Sequence, residues 1–432
     1  MAEIRPFSGY RFNCATPEAL GRYVAPPYDM LDSTMIDALY KKDPANIVRI
    51  TQNRALCEDP SNRVRHERAA VTLREWIENG VLVQDDAPSV YVYEQRFSYR
   101  IGPQQHDAVR TGVVVLVKLA GFEEKVVLPH EATLSGPKQD RYELLDATRT
   151  HTEQIFGLLE DDGAFHRQLR ALAAGAPDGT FTDVNGVVHT LYRCQDVAAI
   201  SKLVALATDK TILIADGHHR YETGLNFHRD HPRPGYAHTM MTLVSTADPG
   251  LVIRPFHRLV RKAGTAVCMR DELARYFTIT EQGKASATTI GSFLDSAEGD
   301  DLLFFDASDG NLYGCALSEA GAAMIAERFP DHADAWKRLP VSMVNVLVIN
   351  TILGLPLDGH VLHDVVGYVN DVDAGIAACA DAATFHGGFF IRPATISTVS
   401  GVVASGDRMP QKSTNFYPKI YSGLVLYRME DR

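Results

Sequence analysis

The chain reads as an α/β protein of mixed, α+β type, and three observations carry that reading. Amphipathic helical stripes and valine-rich strands alternate along its 432 residues. That length suits two or three domains of ordinary size. The third observation is the run Ile212-Leu-Ile-Ala-Asp-Gly-His-His-Arg-Tyr-Glu222. Its apolar start reads as a buried strand, and Tyr221, Leu225 and Phe227 begin a helical pattern. Between them an acid, a glycine, two imidazoles and a guanidinium crowd one turn.

Pro26-Pro27-Tyr28-Asp29 is a stiff turn, because proline fixes its own backbone and restricts its predecessor. Asp32-Ser33 then caps a short helix over 34–42. Val64, Ala70, Leu73, Trp76 and Ile77 make one stripe of a helix over 63–79, ended by Gly80. Alternation over 89–99 and dense valine over 110–119 predict a hairpin turning near Gly102-Pro103. A strand is expected over 124–128 and helix from Asp140 to about Thr152. A helix over 165–174, a hairpin about Asn185-Gly186 and a helix over 197–208 lead to the 212–215 strand. Strands follow over 239–245 and 251–258. The Gly-, Ala- and Ser-rich stretch 284–292 reads as a loop. Strands over 301–305 and 312–317, helices over 332–353 and 377–383, a polar loop over 409–419 and a closing strand over 423–427 complete the chain. Organisation divides it into 1–85, 86–260 and 261–432, with the last loop returning to a cleft in the middle segment.

Lys and Arg number 43 against 54 Asp and Glu, a net charge of −11. That balance argues against a nucleic-acid partner or an anionic membrane, which want a basic surface. The N-terminus lacks a signal-type apolar core, and no apolar run is long enough to span a bilayer, so a cytoplasmic protein is expected. Six scattered cysteines form no CxxC pair and read as reduced. A homo-oligomer is left open.

Three polar clusters carry the chemistry. In the first, Gly217, His218, His219 and Arg220 open a helix whose N–H groups suit phosphate, with Arg220 forking onto its oxygens. Asp216 is the candidate Mg²⁺ ligand, and His218 can act as acid. The second cluster is His130, Glu131, Thr133, Ser135, Gly136, Pro137, Lys138, Asp140 and Arg141. A carboxylate beside an imidazole suits proton transfer, and Lys138 and Arg141 suit phosphate charge. The third holds Lys412, Ser413, Thr414, Asn415, Phe416, Tyr417 and Lys419. Its lysines and hydroxyls can meet phosphate and its aromatics can stack on a base. The plainer readings are a capped helix, a solvated loop and an ordered tail. A zinc site built on His218 or His219 with His130 and Glu131 lacks the His pair at i, i+4. No GxGxxG, GxxxxGK[ST] or GxSxG motif occurs in a fitting context.

The order and spacing of Arg5-Pro-Phe, Pro26-Pro27-Tyr28-Asp29, His130-Glu131-x-Thr133 with Lys138-x-Asp140-Arg141, Asp216-Gly-His-His-Arg-Tyr-Glu222 and Met409-Pro-x-Lys412-Ser-Thr-x-Phe-Tyr-Pro-Lys419 resemble domain-of-unknown-function family 1015 over nearly the whole chain. That family often carries a SpoOJ/ParB-like label. The central turn also resembles the phosphate-binding turn of the ParB/sulfiredoxin-like fold, and within it the ADP-dependent kinase of free serine and its ATP-using relatives. The resemblance implies a ParB/sulfiredoxin-like nucleotide-binding core with additional α/β regions. It also implies a phosphate-binding role for Asp216, Gly217, His218, His219 and Arg220, and an upstream glutamate as base. Glu131 fits that base on chemistry, with Asp29 second.

The expected function is therefore a Mg²⁺-dependent phosphotransferase between a nucleotide, ATP or ADP, and a small hydroxyl compound such as serine. Glu131, His130, His218 and Asp216 are its catalytic candidates. Lys138, Arg141, Lys412, Ser413, Thr414 and Lys419 join the turn around the phosphates. The alternatives are a phosphatase of an ester such as phosphoserine, and a nucleotide-gated ParB-like binding protein.

Overall fold

The computed structural model describes residues 2–101, 103–131, 136–262, 267–296, 299 and 301–429. Two large sheets organise the chain, and both are built where β-branched and aromatic residues concentrate. The first has nine strands. Its path runs Val127–Pro129, Ile212–Asp216, Ile155–Leu159, His238–Ser245, Gln104–Lys118, Val90–Ile101, Val188–Cys194 and Gly179–Thr182, with Ile4–Arg5 paired on Gln104–Lys118. The sheet is mixed. Ile212–Asp216 lies parallel to Val127–Pro129, and His238–Ser245 parallel to Ile155–Leu159, while the other pairs are antiparallel. The predicted hairpin is its backbone, with Tyr91 opposite Val114.

The second sheet is antiparallel, in the order Phe277–Lys284, Asn311–Leu317, Leu302–Asp306, Phe385–Phe390, His257–Arg261 and Val366–Val369. Between the sheets, Val252–Arg254 pairs with Asn415–Tyr417 as a two-stranded ribbon. That ribbon brings the C-terminal loop to the edge of the first sheet.

Helices cover the side of the first sheet where the turn opens. Asn62–Glu78 packs on Gly136–Thr148, which packs on His218–Asp230. The stripe of Asn62–Glu78 buries Ala70, Leu73 and Trp76 as its period demands. Asp32 caps Ser33–Lys42 by accepting from Met35 N at 2.8 Å. Among the described residues no helix is long and apolar enough to cross a membrane.

Several expectations change. The stretch 284–292 is not one loop: Ser286 caps the helix Ala287–Asp295, accepting from Thr289 N at 3.1 Å, and Ile290 and Phe293 bury its apolar face. Its small polar residues masked a cap followed by an i, i+3 pair. The strand expected over 124–128 is shorter and later, Val127–Pro129, because Phe122–Glu124 forms a 3₁₀ turn. The closing strand shrinks to Tyr427–Arg428, paired with Thr150–His151. The helix expected to run to Thr152 stops at Thr148 for that strand. Three further strands were not expected: Phe277–Lys284, although Phe277-Thr-Ile-Thr280 alternates as a strand does, and Val366–Val369 and Phe385–Phe390, which carry glycines and take their partners from far along the chain.

Candidate phosphate-binding cleft

Gly217 makes the turn possible. Its φ is +89°, a left-handed conformation that costs glycine little, and it ends Ile212–Asp216 and opens His218–Asp230 in one step. The helix N-terminus then faces a cleft of about 400 Å³. The cleft is lined by this turn from Ala215 to Arg220, by Tyr28, Asp29 and Met30, by Glu131, and by Gln411, Lys412, Thr414, Asn415 and Lys419. Phe256 and Asn370 close it. Segments from six distant parts of the sequence meet there.

Asp216 sits at the centre. Its Oδ1 accepts from Lys419 Nζ at 2.6 Å and its Oδ2 from Arg220 Nη2 at 2.7 Å. Burial works against its charge, but Lys419 and Arg220 prevail and hold the carboxyl well below the usual range. Arg220 also donates to the carbonyl of Gln154. Both oxygens of the candidate metal ligand are thus already engaged by cations. Among the described residues no cluster of three His, Cys, Asp or Glu is arranged to hold a metal.

The second cluster divides. His130 is fully buried and is not part of the cleft lining. Its Nδ1 donates to Ile214 O at 2.6 Å and its Nε2 meets Thr414 Oγ1 at 2.7 Å. Its carbonyl accepts from Met409 N at 2.7 Å. Glu131 does line the cleft, but Oε1 accepts from Ser413 N at 3.2 Å and from Thr414 Oγ1 at 3.3 Å. Burial raises its carboxyl, yet the bond with His130 and the neighbouring histidines outweigh this and hold it at about 2. Such an anion anchors the 409–414 loop.

Lys138 and Arg141 are not among the residues lining the cleft. Lys138 pairs with Glu222. Arg141 is buried, forks onto Asp140, donates to Thr51 O at 2.8 Å and lies 4.4 Å over the Tyr28 ring. Tyr28 N donates to Glu153 Oε1 at 3.1 Å, and Gln52 donates to Tyr28 O at 3.1 Å. Arg141 therefore braces the Tyr28-Asp29 turn from behind. Thr133 and Ser135 lie outside the described residues.

His218 is kept neutral. Burial and the adjacent His130 push its imidazole down to about 3, and its Nε2 accepts from His130 N at 3.3 Å. It meets a ligand as a neutral ring, not as an acid at neutral pH. His219 lines the cleft beside it.

In the third cluster Lys412 and Lys419 reach the cleft, as does Thr414. Lys412 Nζ lies 5.4 Å over the Phe256 ring, and it has no ion pair among the described residues. Ser413 is buried, with its hydroxyl on Pro410 O, so it shapes the loop. Phe416 does not offer a stacking face: it is fully buried against His130 and Phe156.

Two residues escaped the sequence reading. Arg110 and Arg258, both fully buried, come from the two different sheets and grip the loop by its carbonyls. Arg110 donates to Tyr417 O at 3.1 Å and to Pro418 O; Arg258 donates to Lys412 O at 3.3 Å. A lone arginine among valines in a strand gives no local sign of that task. Asp29 has a clearer sign, its place after two prolines. It stands at the cleft mouth, where crowding by the chain and then the charge of Asp216 raise its carboxyl above the ordinary range.

A left-handed glycine at a helix N-terminus, ringed by Arg220, Lys412 and Lys419, has the chemistry to receive an anion of the phosphate type. The chain belongs to the family described as a protein of unknown function, DUF1015, whose sequence model matches residues 4–342. The 409–419 loop lies beyond that span. No curated protein matches the chain. Among solved structures it is similar to a free serine kinase mutant in complex with ADP, at 12% identity and a TM-score of 0.37, covering 76% of this chain and 96% of that one. It is also similar to a conserved hypothetical protein from Pyrococcus furiosus, at 12% identity, TM-score 0.34, covering 71% and 93%. SbnI with a C-terminal truncation, from Staphylococcus aureus, shows 11% identity, TM-score 0.35, covering 72% and 85%. These likenesses are distant, so the chemistry is read from this chain's own residues.

Proposed function

We propose that the protein is a Mg²⁺-dependent phosphotransferase moving a phosphoryl group between a nucleotide, ATP or ADP, and a small hydroxyl compound, with serine as the first acceptor to test. One observation carries the reading. The helix N-terminus at Gly217, three cations and a carboxylate raised above the ordinary range face one 400 Å³ cleft. Phosphoryl transfer asks for that division: cations around the phosphate and one base to orient the hydroxyl.

Asp29 is the better matched base. A base works best when its affinity for the proton lies near the working pH, and Asp29 is raised whereas Glu131 is held at about 2. The acceptor hydroxyl would give its proton to Asp29 as its oxygen bonds to phosphorus. The bond from phosphorus to the bridging oxygen breaks, and the charge left on that oxygen falls to Arg220, Lys412 and Lys419. Glu131 keeps the loop in place, and the neutral His218 orients phosphate.

The donor set fits Mg²⁺ arriving with the nucleotide. Asp216 is a hard oxygen ligand on the cleft wall, and Mg²⁺ commonly takes one or two carboxylates besides phosphate oxygens. Phosphate engaging Lys419 would release an oxygen of Asp216 for the ion. When bound, the metal supplies neutralisation of phosphate charge.

The test is to incubate the chain with Mg²⁺, ATP or ADP, and serine, and to follow phosphoserine by phosphorus NMR. Arg220→Ala should abolish both nucleotide binding and turnover; unchanged turnover overturns the assignment. Phosphate release from phosphoserine without nucleotide would instead support the phosphatase reading.

A further inference from the structure

Alternate side chains of the strand Val90–Ile101 point to one face, and that face meets the 417–421 stretch. Phe97 meets the Tyr417 ring edge-on, with centroids 5.4 Å apart. Two positions back along the strand, Gln95 Nε2 donates to Lys419 O at 2.9 Å. Two positions further back, the Tyr93 hydroxyl meets the backbone of Tyr421. The strand descends through 97, 95 and 93 as its partner ascends through 417, 419 and 421. It is a ruler for that stretch, and Gln95 is the mark that falls on Lys419.

Gln95 is 1% exposed and stands opposite Arg110 in the hairpin register. Its Oε1 accepts from Arg110 Nη2, while Arg110 also donates to Tyr417 O at 3.1 Å and to Pro418 O. A guanidinium only donates and a carbonyl only accepts. An amide side chain bridges the two, giving its oxygen to one and its N–H to the other. A carboxylate in its place would lack the donor. Beyond this tether, Lys419 reaches Asp216 Oδ1 with its Nζ at 2.6 Å, on the wall of the cleft. A long lysine side chain has many rotamers, so fixing its backbone narrows where the ammonium can stand. Neither Gln95 nor Arg110 lines the cleft.

We propose that Gln95 is a positioning residue for the phosphate site: it locks the register of the 417–421 stretch so that the Lys419 ammonium stands where phosphate arrives. The inference rests on reading the cleft as a phosphate site. A slip of one residue along the ruler would turn Lys419 away from the cleft, since neighbouring side chains in extended chain face opposite ways. The strength of the site is thereby set in part by a residue outside it.

The experiment is a double-variant cycle read by titration calorimetry with pyrophosphate on the full chain. Gln95→Glu keeps a partner for Arg110 and removes the donor to Lys419. It should bind pyrophosphate about tenfold more weakly than the unaltered chain, the scale of one charged contact misplaced. Lys419→Met should lose about tenfold or more for the same reason. In the Lys419→Met background Gln95→Glu should add no further loss, because a residue that acts through the ammonium has nothing left to position. Equal losses in both backgrounds, the mark of a merely structural role, overturn the proposal. So does full affinity in Gln95→Glu or in Lys419→Met. Gln95→Met brings no charge into the interior and repeats the cycle with the same expected outcomes, so a Gln95→Glu chain that fails to fold does not decide the matter. If the unaltered chain does not bind pyrophosphate, the phosphate reading fails and Gln95 has no site to serve.

Discussion

Gly217 and Arg220 act together. A Cβ built on Gly217 falls 2.9 Å from the Arg220 guanidinium, and the glycine's φ of +89° is strained for any other residue. Gly217→Ala should therefore cost about 1–3 kcal/mol in urea unfolding and displace the arginine from its place on the cleft wall. Lys412 gives the converse case. It is exposed and pairs with no carboxylate among the described residues, so Lys412→Ala should weaken nucleotide binding about tenfold while leaving the melting temperature unchanged. Glu131 predicts a pH effect. Its carboxyl is held at about 2 against an ordinary 4.5. As pH falls, the unfolded chain takes the proton first, so the stability from Glu131 is complete above pH 4.5 and is lost between 4.5 and about 2. Across that window Glu131→Gln should show a flatter stability curve than the unaltered chain in denaturant titrations; a parallel curve would count against the anchoring role.

The decisive element is the 409–419 loop. It is held at one end by His130 and Glu131, and along its length by Arg258 from one sheet and Arg110 from the other. Neither arginine has a carboxylate within ion-pair reach among the described residues. Burial lowers both to about 10, still far above neutrality, so each stays charged and donates to backbone carbonyls, Arg110 to the Gln95 side chain as well. Charged hydrogen bonds of this kind contribute about 1.5–3 kcal/mol each. Arg258→Met should loosen the loop, cost about 2 kcal/mol, and speed hydrogen exchange of the 411–415 amides. Unchanged protection there would refute the clamp. The elements legible in the sequence were those set by local rules: the capped helix Ser33–Lys42, the striped helix Asn62–Glu78, the long hairpin and the strand–glycine–helix turn. The helix Ala287–Asp295 hid because serine and threonine serve caps and loops alike.

Across the whole molecule, buried imidazoles set the response to acid. Burial is the largest effect on His151, His218, His238 and His257, and it pushes them to about 4, 3, 4 and 3. Each is neutral in the fold, while the unfolded chain protonates near 6.5. Stability from these residues is therefore complete above pH 6.5 and falls as pH drops below it, by up to about 1.4 kcal/mol per pH unit for each histidine. The urea midpoint should decline between pH 6.5 and 5, well before the carboxylates titrate; a flat midpoint over that range would contradict the neutral burial of these rings. The sequence by itself determined the mixed α/β class, the strand–glycine–helix turn and the three polar clusters, because periodicity, capping and glycine chemistry act within a few residues. Only the tertiary structure decided which cluster members face the cleft. It brought Lys419 onto Asp216 across 203 positions of sequence, drew Lys138 and Arg141 out of the cleft into ion pairs and bracing contacts, and buried Phe416. Those choices follow from sheet pairing and from the need of every buried charge for a partner, and neither is written within any one segment.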